Sequence, residues 1–312
     1  MMADITAQSG SKIRAFPRPP SSFDPLTAAA AELEHYGFPP RRAERCAVEL
    51  YRRVWGRIKD RCQYIEPTLS TDRSRPPLPR TPTFSPNNAN WSGGVVVAPA
   101  GQSFCGIQAE WVVPDVYPPL QTQGYWIGSW IGLDGYTGAG ANIVLQAGVG
   151  QDVYYQSGSI HRDIFPWYEW YPDNMVKIGG VPVSPGDLVV VIISTAMPPG
   201  QSSTNATVYF ANTTNGASMS VPVSAPSGVQ LVGNSAEWIV EQPLPIPGGD
   251  TLPDYGEVFF ADCEAYIAGG GSVDGGTGAA LNITAGVANS VVSRGVLISP
   301  TIIQCSYSGP AP

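Results

Sequence analysis

From Trp91 onward, short apolar stretches recur about every ten residues, each closed by glycine, proline or a polar turn, and no helical period appears between them. That spacing fits the strands of a β-sandwich and not βαβ units, which need helix-length segments between strands. Strands are expected at 94–98, 106–113, 124–133, 142–148, 165–171, 187–195, 204–212, 217–223, 235–241, 255–266 and 291–306. Composition agrees. Charged residues are 13% of the chain, against about 25% in an ordinary soluble domain. Apolar residues, at 43%, still suffice for a core.

The charge is divided unevenly. The first eighty residues hold 14 of the 17 Lys and Arg but only nine acids. Beyond them, only Arg162, Lys177 and Arg294 oppose sixteen acids. Two pieces with different roles are expected. A body with so few cations also suits acidic surroundings, because acid unfolds proteins partly through repulsion among uncompensated cations. The same balance argues against nucleic acid, whose affinity comes from Lys and Arg neutralising phosphates. No run of eighteen apolar residues is present to span a membrane, and the N-terminus lacks the apolar segment of a signal peptide.

The organisation reads as a basic helical leader over 1–66, a Pro-rich linker over 67–87, and a β-sandwich domain over 88–312. Asp24-Pro25 marks a helix start, with Gly37 as its stop. A second helix is expected from Pro39 to about residue 61, with Ala47, Leu50, Tyr51, Val54 and Ile58 on its apolar stripe. The glycine-rich segment 268–279 reads as a flexible loop. No cysteine lies in a C-x-x-C pair, so zinc and redox motifs are not expected. Cys263 and Cys305 could close a loop in an oxidising compartment, and reduced thiols are the equal alternative.

Several chemistries are excluded. The chain has two histidines, His35 and His161, no G-x-S-x-G elbow, no H-E-x-x-H, no P-loop, and no D-T-G or D-S-G. What remains are carboxylates, amides and aromatics. Alternate residues of a strand share a face, so Glu237, Ile239 and Glu241 point one way, as do Trp167, Glu169 and Tyr171, and as do Val144 and Gln146. If their strands are neighbours, Gln146, Glu169 and Glu241 line one groove walled by aromatics. Read without function, the acids are strand-surface residues and the aromatics are core.

Five blocks in order then carry a resemblance: Asn90 to Gly94, Trp130 to Gly135, Val144 to Gly148, Trp167 to Pro172, and Asn234 to Glu241. Together they resemble the glutamic peptidases, or eqolisins, over roughly residues 88 to 270. The resemblance implies a sandwich of two large antiparallel sheets, jelly-roll or concanavalin-like, with a concave substrate face. It places the catalytic pair at Gln146 and Glu241. Trp130, Asp134, Trp167 and Glu169 become groove or supporting residues, and Glu237 an acid without an assigned role. Ser235 and the Pro- and Tyr-rich segment 114–124 depart from the family pattern and bear on specificity.

The implied activity is acid endopeptidase. Glu241 would deprotonate water and return the proton to the leaving amine, and Gln146 would donate its amide N–H to the oxyanion. Polypeptide substrates, a monomer, extracellular surroundings, and neither metal nor cofactor follow from the same resemblance. The leader stands where this family carries a propeptide. Its charge suggests a zymogen in which the leader docks on the acidic body near neutral pH and releases as the carboxylates protonate. Two rival readings stay open: a glycoside hydrolase using two of Glu169, Glu237 and Glu241, and a carbohydrate-binding or inactive sandwich.

Overall fold

The structure, a computed structural model, describes residues 4–6, 12–14, 16–41, 52, 54–56, 58, 62–72, 85–119, 124–243, 252–285 and 290–309. A short hairpin of β1 (Asp4–Thr6) and β2 (Lys12–Arg14) and one helix, α1 (Ala30–His35), come first. Three short strands follow, β3 (Gln63–Tyr64), β4 (Thr68–Thr71) and β5 (Asn87–Asn88). Then come β6 (Trp91–Val97), β7 (Phe104–Val112), β8 (Tyr125–Leu133), β9 (Val144–Gln156), β10 (Ser159–Tyr171) and β11 (Val176–Gly179). The chain continues through β12 (Leu188–Ser194), β13 (Asn205–Asn212), β14 (Ala217–Ser224), β15 (Ser235–Glu241) and β16 (Glu257–Ile267). It ends with β17 (Ser272–Asp274), β18 (Ala279–Ala285), β19 (Ser290–Ser299) and β20 (Ile302–Tyr307).

The expected all-β sandwich is what forms. One layer runs β4-β11-β10-β9-β8-β15-β6-β18, antiparallel throughout. The other runs β3-β14-β13-β12-β7-β16, antiparallel except for the parallel β3–β14 pair. Strands β19 and β20 carry the pairing from β18 round to β16. Period-two alternation sends Ile131, Ala147 and Trp238 of the first layer, and Ala109, Val191 and Phe210 of the second, into one shared core. Two indoles tie the layers: Trp238 Nε1 donates to the Gln108 carbonyl at 2.9 Å, and Trp111 Nε1 to Ser129 Oγ at 3.0 Å.

Strand positions follow the sequence reading, with informative exceptions. The hairpin β9–β10 runs thirteen residues a side. Its outer half is polar and half-exposed, which hides it from an apolar-run criterion. The segment expected as one strand over 291–306 is two, β19 and β20, because Pro300-Thr301 turn the chain back between them. Strands β11 and β18 were not anticipated. Within 268–279 the glycines make a turn, then β17 and a short 3-10 turn, so this segment is ordered rather than a free loop.

The leader also differs in detail. Asp24 Oδ1 accepts the Leu26 N–H at 2.9 Å, but the helix itself starts at Ala30. Gly37, at φ +73°, closes it, with the Phe38 N–H reaching the Leu33 carbonyl. Of the second helix, residues 52, 54–56 and 58 are described as helical. Val54 and Ile58 are buried as expected, Trp55 is buried as well, and Ala47, Leu50 and Tyr51 lie outside the described residues. Residues 73–84 of the linker also lie outside them. The linker's start, Thr68–Thr71, is a paired strand.

Cys263 and Cys305 are free thiols, so no bridge joins them. Burial pushes the Cys305 thiol up to about 12. No helix among the described residues is long and apolar enough to cross a membrane.

Candidate active site

The outer face of the first layer carries the polar groups singled out in the sequence. In β8 the alternation Trp126, Gly128, Trp130, Gly132 turns to this face, while Ile127, Ser129, Ile131 and Leu133 turn inward. Register sorts this face into cross-strand rows. One row is Glu169, Gln146, Gly132, Glu237 and Val95. The next is Lys177, Trp167, Gly148, Trp130, Ile239 and Gly93. A third is Phe165, Gly150, Gly128, Glu241 and Trp91. Tryptophans and Phe165 pack over this face, and the glycines of the rows give their rings room.

Gly132 is the position that matters most for reach. It separates Gln146 from Glu237, whose backbones stand about 10 Å apart across two strand spacings. Gly132 adds no side chain between them in the row. A Cβ at Gly132 would lie 2.9 Å from the Trp130 ring, and one at Gly148 would meet the Ser129 carbonyl at 2.1 Å. Both glycines are therefore required by close approach.

Gln146 is 2% exposed and Glu237 wholly buried. The Gln146 Nε2 donates to Glu169 Oε2, which fixes the amide plane, while its Oε1 accepts no hydrogen bond among the described residues. An amide of this kind keeps one further N–H to offer.

Glu241 is engaged differently. Its Oε1 accepts Trp91 Nε1 at 2.9 Å and Asn90 Nδ2 at 3.2 Å, and its Oε2 accepts Trp130 Nε1 at 2.9 Å. Those bonds lock the two indoles, which meet edge to face with centroids 4.9 Å apart. Glu241 lies four residues along β15 from Glu237, about 13 Å at the rise of a strand. The sequence reading put Gln146, Glu169 and Glu241 in one groove. The face is shared, but Gln146 and Glu169 share a row with Glu237 and not with Glu241.

Asp134 sits at the end of β8 with φ +64° and no exposure. Its carboxylate accepts the backbone N–H groups of Val232, Gly233 and Asn234 at 2.6–3.1 Å. Burial pushes its carboxyl above the ordinary range, and those amides oppose the rise. Its work is to hold the segment entering β15, which sets where Glu237 stands. Trp130 and Trp167 share this face in one buried cluster. Trp91, Phe165 and Lys177 were not singled out as site residues. Lys177 Nζ lies 3.7 Å from the Phe165 ring centroid, among Asp72, Asp152 and Asp163 at 3.4–3.8 Å. The signal for Trp91 and Phe165 was their two-residue phase, and for Lys177 only its rarity as a cation.

Both histidines are exposed and away from this row: His35 on the leader, and His161 stacked on Tyr154 toward the tip of the β9–β10 hairpin. Among the described residues, no group of three or more His, Cys, Asp or Glu is placed to hold a metal.

Comparison with known proteins gives a consistent picture. A model of the peptidase A4 family matches residues 89–307. Aspergillopepsin-2 of Aspergillus niger is 31% identical over 202 residues, covering 58% of this chain and 66% of that protein. Scytalidopepsin B of Scytalidium lignicola is 28% identical over 153 residues, covering 49% of this chain and 51% of that protein. The chain thus spans less than two thirds of either relative's length. Scytalido-glutamic peptidase, solved with a transition-state analogue inhibitor, matches the fold with a TM-score of 0.55 at 24% identity, over 70% of this chain and 98% of that one.

Proposed function

The chain belongs to the peptidase A4 family, the glutamic peptidases, and from that premise we propose that it hydrolyses internal peptide bonds of polypeptides with Gln146 and Glu237 as the reacting pair. The observation that carries the reading is the row in which Gln146 and Glu237 face each other across Gly132. Glu237 takes the place that the sequence resemblance gave to Glu241. A water lying between Gln146 and Glu237 would serve both groups of this row. Glu241 stands too far along the strand to share that water with Gln146, and its oxygens are already occupied by two indoles and an amide.

The step balances on these groups alone. The Glu237 carboxylate takes a proton from water, and the water oxygen bonds to the scissile carbonyl carbon. The carbonyl oxygen becomes an oxyanion that the free Gln146 N–H stabilises, a donor worth about 3–4 kcal/mol. Glu237 then returns its proton to the amide nitrogen as the C–N bond breaks. Glu169 keeps the Gln146 amide oriented as a donor.

An amide donor does not titrate, and a carboxylate base is not disabled where a histidine base would be protonated, so the pair suits mild acid. Hydrolysis of an acid-unfolded protein, followed by release of amino groups between pH 2 and 8, is expected to peak below about pH 5. A peak at neutral pH would rule out this base.

Gly132→Val fills the space between amide and carboxylate. It is expected to lower kcat/KM at least about 100-fold, the scale of losing the oxyanion donor. Near-normal turnover in this variant would show that the reacting atoms meet elsewhere.

A further inference from the structure

The leader's position separates it from the groove. Residues Val54, Trp55 and Ile58 form one apolar cluster with Val190 and Ile192 of β12 and Tyr209 and Ala211 of β13. These body residues point away from the sandwich core, because their alternates Val189, Val191, Ile193, Val208 and Phe210 point into it. The docking face is therefore the outside of the second layer, on the opposite side of the sandwich from Gln146 and Glu237. Trp55 meets Tyr209 edge to face at 4.6 Å, and Phe38 packs on both rings at 5.2 and 5.6 Å. All three leader side chains of the cluster and all four body side chains are at most 4% exposed.

The strand β12, Leu188-Val-Val-Val-Ile-Ile-Ser194, is apolar at nearly every position. A strand of that composition needs cover on both faces. The core covers one face, and the leader supplies the other.

A second, independent contact lies at the sheet edges. Strand β3 extends the second layer on β14, and β4 extends the first layer on β11. Main-chain bonds continue past the strands: the Ile65 N–H reaches the Ser218 carbonyl at 2.6 Å, and the Asp72 N–H reaches the Met175 carbonyl at 2.9 Å. Leu69 of β4 lies in the main core, and Ile65, between β3 and β4, packs against that core. Nine residues of leader thus close the edge at which the two layers would otherwise end in unpaired strands.

We propose that the described residues of the leader, Phe38, Val54, Trp55, Ile58 and 62–72 among them, are a permanent part of the sandwich, which stays bound as a non-covalent second chain when the linker is cut, and not a cover that must leave the groove. Its partner is the apolar outer face of β12 and β13, together with the open edges of β14 and β11. Among the described residues the contact is dispersive and main-chain, so on this proposal it outlasts the screening of the opposite charges of leader and body.

The test uses the full chain with a specific protease site placed within 73–84. After cutting, the fragments are expected to co-elute at pH 7 in low salt, at pH 7 in 1 M salt, and at pH 4, with circular dichroism unchanged. Trp55→Asp, cut in the same way, is expected to release most of the fragment. Release of the wild-type fragment from a folded body by salt or by pH 4 overturns the proposal and supports charge-gated docking. Co-elution of the cut Trp55→Asp protein as tight as wild type overturns the assigned surface. Elution and dichroism are read without peptidase activity, so the outcome stands apart from the proposed function.

Discussion

Glu237→Gln lowers kcat for hydrolysis of an unfolded protein by about 10²–10⁴-fold, the usual cost of losing a positioned general base. Gln146→Ala lowers it by about 10²–10³-fold, the cost of one oxyanion donor. The two changes together cost less than the product of the separate effects, because both act on one water and one carbonyl. Glu241→Gln is the discriminating variant. It places an amide nitrogen against indole N–H groups that need acceptors, so it loses stability by about 1–3 kcal/mol. Turnover by the protein that remains folded should stay within about tenfold of wild type, because no reacting group has gone. All three are measured as kcat and KM at pH 4, with thermal melts alongside. If Glu241→Gln is the dead enzyme and Glu237→Gln the active one, the base is Glu241 and the row argument fails.

Asp134→Ala costs about 3–5 kcal/mol of stability. The variant leaves the Val232, Gly233 and Asn234 N–H groups, now bonded at 2.6–3.1 Å, without their acceptor in a buried place. Each orphaned donor costs about 1–3 kcal/mol. It also puts alanine at φ +64°, which aspartate tolerates better. A fall in melting temperature of about 10 °C or more is expected for a body of this size. A loss under about 1 kcal/mol would mean that the 232–234 segment finds other acceptors. Activity per folded molecule should fall as well, since that segment sets the start of β15 and hence the place of Glu237.

How much of this was legible in the sequence depends on the interaction involved. The sandwich was legible because apolar runs and glycine punctuation are local. The alternation of Trp126, Gly128, Trp130 and Gly132 announces a face walled by rings and floored by backbone. Register is not local. Glu237 and Glu241 share a face under any period-two reading, and only the pairing of β15 with β8 and of β8 with β9 decides which one meets Gln146. Asp134 entered through the resemblance as a groove or supporting residue. Its partners lie about a hundred residues away in sequence, in a segment with no signature of its own. The leader's charge was conspicuous and its docking was not, because Trp55 and Tyr209 become neighbours only in three dimensions.

The glycine floor has a consequence for discrimination. Gly128, Gly132, Gly148 and Gly150 add no side chain of their own to this face. For the proposed peptidase, a bed without side chains reads nothing at the residues that lie flat on it. On that proposal selection falls to the rings beside them, Trp130, Trp167 and Phe165, which pack in one buried cluster. Such a cleft sorts polypeptides by the girth and flatness of the side chains flanking the cut more than by their charge. A new preference is then most simply installed by planting a small side chain at Gly128, where a Cβ would have no neighbour closer than 3.3 Å.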